Sequence, residues 1–441
     1  MIESQRDAGL VRAIGTWGLS ANLINVIVGA GIFVVPGALA ACMGAYAPLA
    51  FVVCGVAIGA VAICFAEGGS RIPTSGGAYG YVEAAFGPLT GYVAGTMLWL
   101  GDVLACGGIA AALADAAASL LPQPFKAPGH AAVIVGVIGS IALVNIGGVK
   151  RGTQLVNVAT LVKLVPLAIL VGAGAWAMHR ANFAQAAAPG AHGLGRGLIL
   201  AFFLVTGMEC SLSVSGEVKE PTRTIPRALA ITIVAVTLLY VAIQIVAQGI
   251  LGSSLGQSTV PLADAMARVS PGLGVLMLIG AAVSMLGWIS SDLLATPRML
   301  FAFGRDGLMP RVLGRVGART HAPHVAIGCY ALIAMGLALT GTFAELAVLA
   351  TLASSALYIA GCAAAWRLAR RGVALAGAPL NFRWLPVAAV VGIAAMLAMI
   401  ALASRAEILG LFAFIGASVG VYLVQTHYRA GKKAAETPAH S

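Results

Sequence analysis

The sequence predicts an all-α polytopic membrane protein of twelve transmembrane helices, and three observations predict it. The chain is 60% hydrophobic and 9% charged, against roughly 25% charge in an average soluble domain. No Asp, Glu, Lys or Arg occurs between Arg12 and Glu67; that stretch of about 54 residues must fold back on itself, since one span needs only about 20. Its apolar blocks are rich in Ala, Leu, Val and Ile and lack the alternation of barrel strands, so the backbone satisfies its own hydrogen bonds in helices.

The expected spans follow in order, with Arg and Lys falling almost entirely in the gaps between apolar blocks. A cytoplasmic N-terminus, 1–13, precedes span one at 14–42 and span two at 45–66, after which Arg71 begins an inside turn. Span three, 88–121, and span four, 129–149, are parted by Lys126 outside; Lys150 and Arg151 lead inside into span five, 153–178. Arg180 lies outside before span six, 195–218, and Lys219 and Arg223 lie inside before span seven, 226–251. Arg268 precedes span eight, 272–303, and the basic stretch from Arg305 to Arg319 precedes spans nine, 323–341, and ten, 344–369. Arg370, Arg371 and Arg383 lead into spans eleven, 384–404, and twelve, 406–427, with Arg405 between them and a cytoplasmic tail over 428–441. With both termini inside, the inside loops and tails hold about 20 of the 26 basic residues, as the positive-inside rule requires. The net charge of +11 is thereby topological, and nucleic acid is excluded as a partner.

The seven cysteines lie in apolar blocks without a CxxC pair, which reads as buried thiols with neither disulfide framework nor metal site. "LAAC" at Leu39–Cys42 imitates a lipoprotein cleavage site, but the apolar stretch before it is too long for a signal h-region and contains Pro36. There is no phosphate loop, nucleophile elbow or HExxH, and every histidine falls outside the span interiors. A membrane enzyme is disfavoured, and no cofactor is expected.

Two spans are interrupted. "VIVGAGIFVVPG", Val26 to Gly37, places three glycines and a proline inside span one, and "LVTGMEC" places Gly207 and the ionisable Glu209 in the middle of span six. The two lie five spans apart, so an odd offset turns one copy upside down relative to the other: an inverted repeat of 14–178 and 195–369, with 384–427 appended. Gly29 and Gly31 leave helical geometry at little cost and Pro36 removes a donor, so the amides of Ala30 to Phe33 can face an anion such as a carboxylate. Carbonyls near Val205, Thr206 and Gly207 can accept from an ammonium. A small-residue packing seam is the plainer reading of Gly29, Ala30 and Gly31; the second break argues against it.

These segments resemble a known group. "VGAGIFVVPGALA", "RIPTSGGAYGYVEAAFGPLTGYVAG", "FFLVTGMECSLSVSGEVKEPTRTIPRAL" and "RMLFAFGRDGLMPRVLGRV" are similar, in this order, to motifs of bacterial amino acid permeases of the amino acid-polyamine-organocation superfamily. The resemblance implies a leucine-transporter-like fold of five plus five inverted helices with two extra, discontinuous helices one and six, and alternating-access transport of amino acids or amines across the cytoplasmic membrane. It maps a carboxylate cradle onto Gly29, Ala30, Gly31 and Ile32, with Ala30 standing where a hydroxyl is common. It maps an aromatic gate onto Phe202 or Phe203, of which Phe203 is favoured, and an aromatic against the substrate side chain onto Trp288. Ile27 and Met208 complete an apolar lining.

Ionisable residues inside spans are functional hypotheses by default. Lys163, a third of the way into span five, either snorkels to the cytoplasmic surface or, as the resemblance implies, takes the place of a sodium ion, bridging carbonyls near Gly29 and a span-eight hydroxyl, Ser291 or Ser290. A lysine that alternates between wet and dry settings can load and release a proton. Ser284, Trp288, Ser291 and Asp292 share one stripe of span eight. Asp102 in span three either recognises a cationic side chain or pairs with another helix, and the resemblance implies gating or proton sensing for Glu209. The expected partners are an amino acid or amine, protons and membrane lipid. Proton symport is preferred over an exchanger or a non-transporting sensor; substrate identity and oligomeric state stay open.

Overall fold

The computed structural model describes residues 15–72, 78–147, 163–183, 189–208, 218–317, 320, 322–375 and 378–436. Glu209, Glu217, Lys150 and Arg151 lie outside them. The described residues are almost entirely helical.

The first apolar block folds as α1 (Thr16–Ile27), a 3-10 turn (Gly31–Phe33), α2 (Val35–Met43) and α3 (Ala47–Arg71). There follow α4 (Ala78–Phe86), α5 (Pro88–Ser119), α6 (Lys126–Ile146), α7 (Lys163–Ala177) and α8 (Ala191–Phe203). The remainder is α9 (Pro221–Leu251), α10 (Pro261–Val269), α11 (Pro271–Ala295), α12 (Pro297–Arg305), α13 (His324–Thr340), α14 (Phe343–Arg370), α15 (Leu385–Ala401) and α16 (Arg405–Glu436). Proline occupies the first turn of α2, α3, α5, α9, α10, α11, α12 and α15, where its missing N–H leaves no bond unmade. At the start of α14 Thr342 and Glu345 form a reciprocal capping box, which satisfies two free donors.

Among the described residues, seven helical segments are long and apolar enough to cross a membrane, and α7, α8, α13 and α15 are shorter apolar helices. The chain is thus a multi-pass membrane protein. Span eight is one apolar segment, Pro271–Arg305, in which α11 and α12 are parted only at Thr296, a residue that keeps helical angles (φ −66°, ψ −35°); the ladder lapses there because Pro297 has no N–H to donate to the preceding turn.

Burial sorts the helices. In α5 the apolar window is 83% buried, and its longest contact runs along α14; in α16 the corresponding figure is 11%. A helix apolar all round and buried is a core helix, whereas one apolar and exposed in this setting faces hydrocarbon. The central position of α5 brings Asp102 into the interior.

Arg71, which the charge pattern places in an inside loop, belongs instead to the last turn of α3 and is buried. Its Nε donates to Glu67 Oε1 at 2.8 Å, and its other nitrogens donate to the Val373 carbonyl at 3.1 Å and Asn381 Oδ1 at 2.6 Å. Glu67 also accepts from the backbone amides of Asn381 and Phe382. This fully hydrogen-bonded ion pair fastens the end of α3 to the connection between α14 and α15.

Candidate functional site

Both breaks exist where the glycines place them. α1 stops at Ile27, and the chain runs through Val28–Ala30 to the 3-10 turn before α2 resumes at Val35. Phe33 N donates back to the Ala30 carbonyl and Val34 N to that of Gly31, which narrows the expected free amides to Ala30, Gly31 and Ile32. α8 stops at Phe203, and Gly207 adopts φ +100°, a conformation that costs any other residue steric strain.

One helix spans the first break. Along α9, Thr232 Oγ1 donates to the Ser20 carbonyl of α1 at 3.4 Å, Tyr240 OH to the Ile27 carbonyl at 2.9 Å, and Gln244 Nε2 to the Pro36 carbonyl of α2 at 3.2 Å. Tyr240 OH is also 3.2 Å from the Leu204 carbonyl, so a single buried hydroxyl touches the last turns of both interrupted helices. Of these acceptors, the Ile27 carbonyl, which also takes Gly29 N at 2.7 Å, and the Leu204 carbonyl lie at helix ends, where intrahelical donors run out.

Between the breaks lies a cavity of about 320 Å³. Ile27, Gly29, Ala30, Gly31, Phe203, Thr206, Gly207, Trp288, Lys163, Ser291, Asp102 and Asp292 all line it, so the structure gathers twelve expected residues from five separate helical segments. Ile32 is instead packed in the core, Val205 turns to an apolar cleft with Leu23 and Met208, and Ser290 is buried outside the lining. Phe203 faces the cavity with its ring edge-on to Phe343, whereas Phe202 is buried against Tyr358. A Cβ on Gly31 would stand 2.7 Å from Leu204 Cδ2 and 3.2 Å from Phe203 Cε1, so the absence of a side chain there lets the two breaks meet.

Lys163, the first described residue of α7, reaches inward, its Nζ donating to the Asn25 carbonyl at 2.6 Å. The bond goes to the last turn of α1 rather than to Ser291 or Ser290, and the lysine does not snorkel: it is 9% exposed. On the opposite wall, Asp102 of α5 and Asp292 of α11 approach the same hydroxyl, Thr296 Oγ1, at 3.1 and 2.8 Å. Tyr330 OH of α13 donates to Asp292 Oδ2. Thr296 stands one helical turn after Asp292, a weak local signal, whereas Tyr330 carries none; only the fold shows that Thr296 also meets Asp102 and that Tyr330 meets Asp292. Ser284, one turn before Trp288, also lines the cavity.

The described residues contain no group of three or more His, Cys, Asp or Glu able to hold a metal ion. The arrangement offers a cradle of backbone amides, one ammonium, two carboxyl groups and an indole around a space the size of a small organic molecule.

The sequence model of the amino acid permease family matches residues 14–404. The chain is 29% identical over 332 residues to a serine/threonine exchanger of Bacillus subtilis (strain 168), covering 73% of this chain and 75% of that one. It is 27% identical over 373 residues to a methylthioribose transporter of the same organism, covering 79% and 80%. It is 27% identical over 337 residues to a chloroplastic cationic amino acid transporter of Arabidopsis thaliana, covering 71% of this chain but only 59% of that longer protein. The chain therefore belongs to the amino acid permease family, transporters of the amino acid-polyamine-organocation superfamily rather than enzymes.

Proposed function

We propose that the chain carries amino acids or related amines across the bacterial cytoplasmic membrane by alternating access, with the cavity between the two broken helices as its substrate site. The observation that carries this reading is the meeting of both breaks, Lys163 and Trp288 at one cavity. The α-carboxylate is assigned to the amides of Ala30 and Gly31, where a half-helix begins and its dipole favours negative charge. The ammonium is assigned to carbonyls of the second break near Thr206 and Gly207, and the side chain to the wall of Trp288, Ala105 and Ile109. Twelve spans, with α1–α2 and α8 as the discontinuous members of inverted repeats and both termini cytoplasmic, supply the rocking halves; the distribution of Arg and Lys supports the orientation.

Lys163 is the proposed coupling residue. Its charged head holds the Asn25 carbonyl at the end of α1, so loss of its proton would release the first broken helix. Uptake into proteoliposomes under an imposed pH gradient tests this: wild type should accumulate substrate, and Lys163→Gln should lose the response. A Gln variant that responds as wild type does would remove Lys163 from coupling. Exchange is a second reading, favoured by the Bacillus relative that is an exchanger; an exchanger takes up label only when substrate is preloaded inside, so counterflow separates the two.

A further inference from the structure

The polar contacts on the carboxylate wall do not balance in protons if both carboxyl groups are ionised. Three oxygen pairs lie at hydrogen-bond distance: Asp102 with Thr296, Thr296 with Asp292, and Asp292 with Tyr330. Each bond needs one proton, and the two hydroxyls supply two. The shorter of the Thr296 contacts is the one to Asp292, Tyr330 donates to the other oxygen of the same carboxylate, and the Cys106 thiol also bonds to it, so Asp292 is the better hydrogen-bonded anion. The remaining proton belongs between Asp102 Oδ2 and Thr296 Oγ1, with Asp102 as donor.

We propose that Asp102 carries a proton that a cationic substrate displaces: Asp102 and Asp292 together form a subsite holding either one proton or the ammonium or guanidinium of a substrate side chain. This rests on the cavity being the substrate site. In the unloaded state the chain runs from the Asp102 carboxyl to the Thr296 hydroxyl to the Asp292 carboxylate, and the pair bears one negative charge. When a substrate cation arrives, the O–H bond of Asp102 breaks, the proton leaves to water in the cavity, and the new carboxylate faces the cation. Two carboxylates across a single hydroxyl are stable in this interior only with that compensating charge. The other groups facing the pair are Cys106 of α5, Tyr330 of α13 and, on the opposite wall, Lys163 of α7. An independent feature of the cavity calls for a polar ligand: Ser284 Oγ of α11 is buried, lines the space, and has no hydrogen-bond partner among the described residues. A buried hydroxyl without a partner is costly unless a ligand or water supplies one.

The test is calorimetric binding to the full-length protein in lipid nanodiscs, in two buffers of different ionisation enthalpy, using lysine, arginine and, as a neutral probe, leucine. Lysine or arginine should release about one proton per site and leucine none. In Asp102→Asn, which keeps one negative charge but has no proton to give, release should vanish, and the cationic ligand should lose at least about tenfold more affinity than leucine does. Cationic ligands that bind without proton release, release that persists in Asp102→Asn, or binding of leucine alone would overturn the subsite while leaving the cavity as the substrate site. Failure of all three ligands to bind the wild-type protein would overturn both.

Discussion

Replacing Tyr240 with phenylalanine removes one oxygen from a fully buried side chain and isolates the hydroxyl that touches both interrupted helices. The ring stays, still 5.4 Å from that of Phe51, so packing is kept. What is lost is a donor to the Ile27 carbonyl at 2.9 Å, which also accepts from Gly29 N at 2.7 Å, and to the Leu204 carbonyl at 3.2 Å. A single hydroxyl proton serves one acceptor at a time, so the loss is one bond. Such a bond contributes about 0.5–1.5 kcal/mol. Because the bridge needs the two breaks side by side, its removal weakens that arrangement by the same amount. Apparent substrate affinity should then fall by about 2- to 12-fold, at 1.4 kcal/mol per factor of ten. Equilibrium binding of labelled substrate to purified Tyr240→Phe, with thermal unfolding measured on the same sample, provides the assay. Unchanged affinity together with an unchanged unfolding midpoint would show that the hydroxyl does not hold the breaks together.

Other expectations concern neighbouring features. Gly207→Ala forces a side chain into φ +100° and should cost about 1–3 kcal/mol; initial-rate uptake should fall at least about fivefold, and wild-type rates would refute the need for a glycine there. Glu67→Ala strands the buried Arg71 guanidinium and should destabilise the protein by about 3–5 kcal/mol, read as a lower unfolding temperature in detergent; an unchanged midpoint would mean that water or another acceptor reaches Arg71. Lys163→Gln should abolish the response of uptake to an imposed pH gradient, with residual exchange measured by counterflow.

Much of this organisation is legible in the sequence because apolar length and charge placement act at the level of whole helices. A glycine that needs positive φ, such as Gly207, or close approach, such as Gly31, announces itself inside an apolar block. Lys163 stands out because a cation is costly there. Its partner was legible only approximately: the bonded carbonyl is that of Asn25, one turn before Gly29, since helix rotation about α1 decides which carbonyl faces α7. Ile32 and Val205 neighbour true cavity residues but point elsewhere, as the 3-10 turn after Ala30 and the turn after Phe203 shift the register away from a continuous helix. Tyr240 and Tyr330 were invisible, being separated from the groups they touch by up to 213 positions and unmarked by charge or periodicity, and the contact of Thr296 with Asp102 spans 194. The Glu67–Arg71 pair does carry a local signal, its i,i+4 spacing on α3, but the positive-inside pattern drew Arg71 into the loop.

The central claim is that substrate occupies the space between the two breaks. Its most direct test is equilibrium binding of labelled substrate to Gly31→Val, with Gly136→Val as control. A side chain at Gly31 meets Leu204 and Phe203 at 2.7 and 3.2 Å, whereas one at Gly136 on α6 meets nothing within 4 Å. Binding should be lost in Gly31→Val and retained in Gly136→Val, with both variants inserted and monodisperse; wild-type affinity in a folded Gly31→Val protein would contradict the account.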